Sequence, residues 1–431
     1  MVMVIPMPPI PSFDWLRGPS KGPWARTALS RASSLETAVS EVYRRLRPPG
    51  PADLALVFVS SSFATDLPRL LPLLAKSLRA DSWMGCMAGG VVGMDDQGDP
   101  QEVEATPALS VLLLRMPGAT LHPFHLDTVS LPDLDGRRDD WYRWVGAPSE
   151  PGQSLLLLID PTASGITDLI RGLDYAYPGA KTLGGIAGHH NARHGSLLYQ
   201  GEVRAGAVGC LMGGAWRLDP VVAQGCRPIG PVFEIEQVER NVLLQLSREG
   251  ARANPVACLQ GVLADLTPAE RDLVRHSLFL GIGQSDFRLP SPSSPASQEP
   301  AFLVRNLIGV DPRNGAVAVA ERVRVGQQVQ FQLRESQASA QEASQLLTAQ
   351  RERLQCSPLA GLLLACQGRG QSLFQQSNGD VTLASQAHPG LPMAGAFCNG
   401  EIGPLGGSTH LHGYTACWAM VVANALSTGE P

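Results

Sequence analysis

The sequence predicts a mixed α+β protein of two related domains, each made of mixed β-sheets covered by outer helices. Three observations predict this. Continuous apolar runs of strand length read as strands buried on both faces. Each is followed or preceded by a helix with a single apolar stripe. The order strand, helix, Gly-rich segment, strand then recurs along the chain, as an internal repeat does.

The first helix starts at Ser34, because Leu35, Ala38, Val39, Val42, Tyr43 and Leu46 fall on one helical face and Pro48, Pro49 and Pro51 stop it. Leu54 to Ser60 is the first buried strand. A second helix follows, with Asp66 as its expected cap, Pro68 in its first turn and Leu67, Leu70, Leu71, Leu74 and Leu78 as its stripe. The next segment, Met84 to Gly90, reads as a Gly-rich turn, and Ser110 to Leu114 closes the unit.

The second copy runs through Leu155–Ile159 as strand, Ile166 to Tyr177 as helix, Leu183 to His189 as turn and Ala207 to Leu211 as closing strand. The two turns share a G-x-x-A-G pattern at Gly85 to Gly89 and Gly184 to Gly188. A looser third copy has a helix from Ser339 to Leu354, the strand Gly361–Cys366, Gly395 to Glu401 at the turn position and a final strand from Tyr414 to Val422. Ahead of it, Phe302 to Ile308, Ala316 to Val323 and Val329 to Leu333 read as an antiparallel meander, with Asp311 to Gly315 as a hairpin turn. The domain plan is then an extended arm over 1–33, an N-terminal domain over 34–228 holding two repeats, and a C-terminal domain over 229–431. The last carries a Pro/Ser-rich loop at 288–300.

Composition narrows the function. Among 431 residues, 44% are hydrophobic and 17% charged, and no uncharged apolar stretch reaches the roughly 18 to 20 residues of a membrane-spanning helix. The segment Met1 to Pro11 is studded with prolines and lacks the basic start of a secretory signal. Eight scattered cysteines without a CxxC pair fit a reducing cytoplasm better than a disulfide scaffold. A net charge of −5 argues against a phosphate-backbone binder, so neither nucleic acid nor membrane is an expected partner.

These segments resemble the FIST family across most of the chain. The resemblance rests on Phe58-Val-Ser-Ser61 and Gly85 to Gly90 in the N-terminal half. In the C-terminal half it rests on Phe302 to Gly309, Cys366-Gln-Gly-Arg-Gly370, Asn399 to Pro404 and His412-Gly-Tyr-Thr415; the stretch from Phe233 to Leu266 matches less well. The resemblance implies an intracellular sensory protein that binds a small ligand, amino acids or their derivatives. No F-box-like segment precedes Ser34 and no kinase, cyclase or coiled-coil module follows Val422, so the signal is expected to pass through a separate partner protein.

The candidate ligand-binding residues are Cys366, Gly368, Arg369, Gly370, Asn399, Gly400, Glu401 and Thr415. Gly368 and Gly370 let the backbone approach a ligand after a buried strand. Arg369 can fork onto a carboxylate or phosphate; the plainer alternative is a tight turn with Arg369 in solvent or paired with Glu401. Asn399 and Glu401 can bind an ammonium or hydroxyl group, although loop carboxylates are commonly just solvated. Ser60 to Ser62, and Thr162 and Ser164 in the second copy, can hold an anion or cap a helix.

Two other function classes stay open. One is a cysteine-dependent hydrolase or transferase with Cys366 as nucleophile and His412 or His410 as base; the contrary reading makes Cys366 and Cys398 small buried hydrophobes. The other is a protein-interaction adaptor. His189, His190 and His194, and the pair His410 and His412, lack the rest of a metal set, so neither metal nor cofactor is expected.

Overall fold

A computed structural model of the chain describes residues 22–284 and 301–424. The start of the expected arm and the Pro/Ser-rich loop lie outside the described residues. The expected class, mixed α+β with related domains and internal repeats, is the observed one.

The first repeat consists of β1 (Trp24–Ser30), α1 (Leu35–Leu46), β2 (Ala52–Ser60), α2 (Leu67–Ala75), β3 (Ala80–Ala88), the hairpin of β4 (Gly90–Met94) and β5 (Pro100–Glu104), and β6 (Leu109–Arg115). The second consists of β7 (Ala119–Leu126), α3 (Arg138–Val145), β8 (Ser154–Ile159), α4 (Ile166–Ala176), β9 (Lys181–Ile186), the hairpin of β10 (Leu197–Tyr199) and β11 (Glu202–Arg204), and β12 (Ala207–Gly214). The third opens with β13 (Trp216–Ala223). An inserted unit follows: β14 (Cys226–Pro228), β15 (Phe233–Glu239), β16 (Val242–Arg248), β17 (Ala251–Ala253), α5 (Pro255–Ala264), α6 (Pro268–Ser277), β18 (Leu278–Gln284), β19 (Ala301–Asp311), β20 (Ala316–Val319) and β21 (Gln328–Arg334). The third repeat resumes with α7 (Ser336–Arg353), β22 (Ala360–Cys366), the short α8 (Gln371–Phe374), α9 (Gly379–Ala387), β23 (Met393–Cys398), the hairpin of β24 (Glu401–Leu405) and β25 (Ser408–His412), and β26 (Ala416–Ala423).

Each repeat builds one six-stranded sheet of the same order. The sheets run β1-β6-β2-β3, β7-β12-β8-β9 and β13-β26-β22-β23, and each is completed by another repeat's hairpin. The β4-β5 hairpin extends the third sheet, β10-β11 the first, and β24-β25 the second. The three repeats therefore exchange hairpins in a ring. Within each sheet the central pair is parallel: β2 with β3, β8 with β9, β22 with β23.

This layering explains the uninterrupted apolar runs. Leu56 and Phe58, Leu156 and Leu158, and Leu362 and Leu364 point inward into one core common to all three sheets. Their alternates point outward under helices: Ala55 and Val57 toward α1 and α2, Leu155 and Leu157 toward α3 and α4, Leu363 and Ala365 toward α7 and α9. A strand with both faces buried has no polar face to show.

The Gly-rich segments differ from the expected turns. Gly85, Gly184 and Gly395 lie within β3, β9 and β23, not at bends. A Cβ on them would sit 1.8, 1.9 and 1.9 Å from the carbonyl oxygens of Val57, Leu157 and Leu363 on the neighbouring parallel strands. Each copy requires glycine there because the backbones approach too closely for a side chain. Two further expectations are revised. Asp66 does not cap α2, because Ser61–Asp66 already form a 3-10 helix and its carboxylate accepts from Arg69 at 2.8 Å. The last strand begins at Ala416, since Tyr414 has φ +60° and cannot continue a strand.

The expected meander is part of a larger object. β19 and β20 pair through the Asp311 to Gly315 turn, but β21 pairs with β18 and β15, not with β20. The ring β21-β15-β16-β20-β19-β18 closes on itself as an antiparallel barrel, which removes sheet edges. Ile235, Leu246, Leu280, Ile282, Val329 and Phe331 fill it. Thr267 and Glu270 cap α6 reciprocally, each bonding the other's backbone N–H, and so fix its start against the barrel.

Candidate functional site

Ligands in sheets with parallel strands collect beyond the strands' carboxyl ends. Here three parallel pairs end at one rim. The N–H groups of Gly89, Gly188 and Asn399, just past β3, β9 and β23, donate to Phe397, Met87 and Ile186 at 3.0, 2.8 and 2.9 Å. These three bonds form a cycle through the repeats. Ser60, Asp160 and Cys366 correspond likewise, their N–H groups donating to Ala108, Gly206 and Thr415 at 2.9, 2.8 and 3.0 Å.

The three equivalent ends differ chemically. The Ser60 hydroxyl accepts from Ala108 N–H at 2.9 Å and is satisfied. Asp160 accepts from Thr162 N–H at 2.9 Å and from the N–H and hydroxyl of Ser196, each at 2.7 Å. Burial alone would raise its carboxyl, but the bonds from Ser196 and Thr162 outweigh that and hold it below its ordinary value. Both ends are structural ties.

The third end is unsatisfied. Glu401 is fully buried; its Oε2 accepts from Thr415 N–H at 3.1 Å, and its Oε1 has no partner. Burial pushes this carboxyl well above the ordinary range, against the pull of Thr415 N–H and the Arg369 charge. The Cys366 thiol lies beside it and accepts from Gly368 N–H at 3.5 Å. Burial, then the Glu401 charge, raise the thiol as well, which is the reverse of what a thiolate nucleophile requires. The pairing of β22 and β23 sets Cys366 opposite Cys398.

Arg369 is the main revision. It is fully buried, and its fork is filled by Asp380, Nε and Nη2 donating at 2.8 and 2.7 Å, while Nη1 reaches Tyr414 O at 3.3 Å. A guanidinium driven into the core needs a carboxylate, and Asp380 in the first turn of α9 supplies it; neither solvent nor Glu401 is its partner. Gly370 has φ +57°, and a Cβ there would sit 2.3 Å from Glu104 Oε1, which accepts Gln371 N–H at 2.9 Å. The loop's glycines thus seat it against the exchanged β5; a Cβ on Gly368 would meet the Tyr414 ring at 2.8 Å.

Asn399 is exposed at the rim, donating to Ala187 O at 3.0 Å and accepting from Gln367 at 2.7 Å. Gly400 is buried and its carbonyl accepts from Ile186 N–H at 2.8 Å. The Thr415 hydroxyl donates to Gly413 O at 3.1 Å. His412 directs Nε2 at Gly403 O, 3.1 Å away, and no hydrogen bond joins it to Cys366. His194, in the other histidine cluster, bonds the carbonyls of Gly195 and Ala64 at 2.8 Å. Among the described residues no group of three or more His, Cys, Asp or Glu side chains could hold a metal ion.

Arg334 was not legible as a site residue. It ends β21, lies 4.5 Å over the Tyr414 ring, donates to Gly368 O, and keeps a buried Nε without a partner. In sequence it is an ordinary charge at a strand end, and only barrel closure carries it to the Cys366 turn. The site therefore offers one unpartnered acceptor, Glu401 Oε1, and one unpartnered donor, Arg334 Nε, around the same turn.

Three repeats with exchanged hairpins, and a barrel let into the third, define a two-module α+β architecture whose polar, unsatisfied rim lies in the C-terminal module. The chain belongs to the FIST family: residues 53–249 match the FIST N domain and 255–404 the FIST C domain. FIST domains are generally sensory domains thought to bind small ligands in signal transduction. The chain is similar to the uncharacterized protein Rv0628c of Mycobacterium tuberculosis, 32% identical over 399 residues that cover 91% of this chain and 98% of the relative. It is also similar to the uncharacterized protein Mb0898c of Mycobacterium bovis, 30% identical over 376 residues covering 86% and 92%. No helix among the described residues is long and apolar enough to cross a membrane.

Proposed function

We propose that this chain is a cytoplasmic sensor for amino acids or closely related metabolites, which reports through a separate partner protein and performs no chemistry on its ligand. The observation that carries the reading is a pair of buried atoms without partners at the Cys366–Gly368 turn, Glu401 Oε1 beside Cys366 and Nε of Arg334, whose guanidinium donates to Gly368 O. An α-amino acid carries the complementary pair, an ammonium for the carboxylate and a carboxylate for the guanidinium. Leaving such groups unmade costs about 1–3 kcal/mol each, which a ligand with both charges recovers. The raised Cys366 thiol supports binding over nucleophilic catalysis.

Glu401 must ionise to hold an ammonium, and its carboxyl is raised in the empty site. Binding therefore releases a proton, and affinity rises with pH until Glu401 is ionised without help. Titration calorimetry of the full chain against a panel of amino acids, in buffers of different ionisation enthalpy, tests this. A bound amino acid with proton release, weakened about tenfold or more by Glu401→Gln, is expected. No binder in the panel, or a binder indifferent to Glu401→Gln, overturns the reading.

A further inference from the structure

A second set of unsatisfied groups lies on the far strand of the same hairpin and serves neither the rim nor the core. Between α4 and the barrel runs a cleft floored by β25, with a cavity of about 260 Å³ that continues into one of about 590 Å³; both share Arg171, Glu321, Thr409 and His410. His412 lines the smaller cavity and is only 3% exposed. Its Nε2–H is committed to Gly403 O, so Nδ1 presents a lone pair, and that atom has no partner. His410, two residues away on the same strand face, has a buried Nε2 that is also unpartnered, and the two rings stand 6.3 Å apart.

The charges around these imidazoles decide what they can accept. Arg305 is tied to Glu321 by two bonds of 3.0 and 2.9 Å, and the Thr409 hydroxyl donates to Asp174 at 2.7 Å. Arg171 on α4 has no ion-pair partner among the described residues, nor has Arg322, so the cleft carries an excess of positive charge. Burial, with Arg305 nearby, keeps both imidazoles neutral, His412 falling to about 3. Neutral rings beside arginines disfavour a cation and call for hydrogen-bond donors. The floor thus accepts hydrogen bonds while the rim attracts an anion.

We infer that this cleft binds a small polyhydroxylated anion, its hydroxyls donating to His412 Nδ1 and His410 Nε2 and its acid group meeting Arg171. Sugar phosphates and sugar acids share this chemistry. The site is separate from the Glu401 rim, although Glu401 and His412 are cross-strand partners in the β24-β25 hairpin.

The test is calorimetry of the full chain with glucose 6-phosphate and with gluconate, set against sorbitol and inorganic phosphate as half-probes. At least one of the two anions is expected to bind one-to-one, with each half-probe about tenfold weaker or worse; which anion binds distinguishes phosphate from carboxylate. Arg171→Ala, at an exposed position, is expected to weaken binding about tenfold, as loss of a charge-assisted hydrogen bond does. His412→Phe should do the same, and Glu401→Gln should leave this affinity unchanged while it impairs the rim. Absence of binding by both anions up to millimolar concentration overturns the inference. So does inorganic phosphate binding as tightly as the sugar phosphate, or an affinity untouched by Arg171→Ala. Because Arg171 lies outside the core, the result stands even where the His412 variant fails to fold.

Discussion

Glu102 offers a direct measure of what the exchanged hairpins cost. It lies on β5, in the third repeat's sheet, and is 2% exposed. Its Oε1 accepts Val381 N–H at 2.8 Å at the start of α9, and its Oε2 has no partner. Burial, then the neighbouring Asp380 charge, raise its carboxyl from 4.5 to about 7. At about 1.36 kcal/mol for each tenfold change in proton affinity, ionised Glu102 costs the native state on the order of 3 kcal/mol. The sign follows from proton counting. Between 4.5 and about 7 the folded chain holds this proton and the unfolded chain has lost it, so stability falls as pH rises through that window and is level above it. Glu102→Gln keeps an acceptor for Val381 N–H and replaces the repulsion toward Asp380 with an amide donor. Urea unfolding of both proteins near the two ends of that window should therefore show a loss of up to ~3 kcal/mol in the wild type that the variant lacks, the variant being the more stable at the alkaline end. If the variant keeps the full pH dependence, or is less stable at the alkaline end, the account of Glu102 is wrong.

Other consequences of the packing are as open to measurement. Gly395→Ala drives a Cβ to 1.9 Å from Leu363 O and should destabilise by ~3 kcal/mol or more, seen as a lower thermal midpoint by circular dichroism, with Gly184→Ala behaving alike. Asp380→Asn strips the charge from the fully buried Arg369 pair and should cost ~3–5 kcal/mol in denaturant unfolding, whereas the surface pair Arg137–Asp139 should contribute under ~1 kcal/mol. Under iodoacetamide, mass spectrometry should find exposed Cys356 modified first and Cys366 slowly near neutrality; rapid labelling of Cys366 would revive the nucleophile reading.

Much of the core was legible because its signals are local. The α1 stripe from Leu35 to Leu46, with Ser34 accepting Thr37 N–H as its cap, and the strands β2, β8 and β22 follow from periodicity alone. The glycines were legible as a pattern but not in meaning, since the carbonyl that forbids a Cβ at Gly85 comes from a neighbouring strand. The barrel strands β15 and β16 were missed because the alternation of Phe233-Glu-Ile-Glu changes phase at the bulge around Gln237 and Val242-Leu-Leu-Gln-Leu-Ser-Arg248 does not alternate. Hairpin exchange could not be read at all: a strand's sequence says that it pairs, not with which sheet. Arg369 shows the same limit at the site, because the residue that fills its fork, Asp380, stands in a helix with no sequence signal tying the two together.

The threefold relation among the repeats explains why buried groups without partners gather at one strand end out of three. Ser60, Asp160 and Cys366 occupy the same place, and the rim bonds of Gly89, Gly188 and Asn399 close only if all three copies keep that geometry. The shared backbone therefore constrains each position, while the side chains are free to differ. In the first copy a hydroxyl, and in the second a carboxylate with four backbone and hydroxyl donors, consume their own bonding capacity. Only the third copy carries an insertion, the barrel between β13 and α7, which ends at Arg334 and delivers that guanidinium to the Cys366 turn. An insertion that brings an unpartnered donor to a turn already holding an unpartnered carboxyl group replaces a structural tie with free bonding capacity, which is what the proposed amino-acid site requires. On this argument, Arg334→Gln should impair amino-acid binding as severely as Glu401→Gln, and the equivalent turns at Ser60 and Asp160 should tolerate substitution with effects on stability alone.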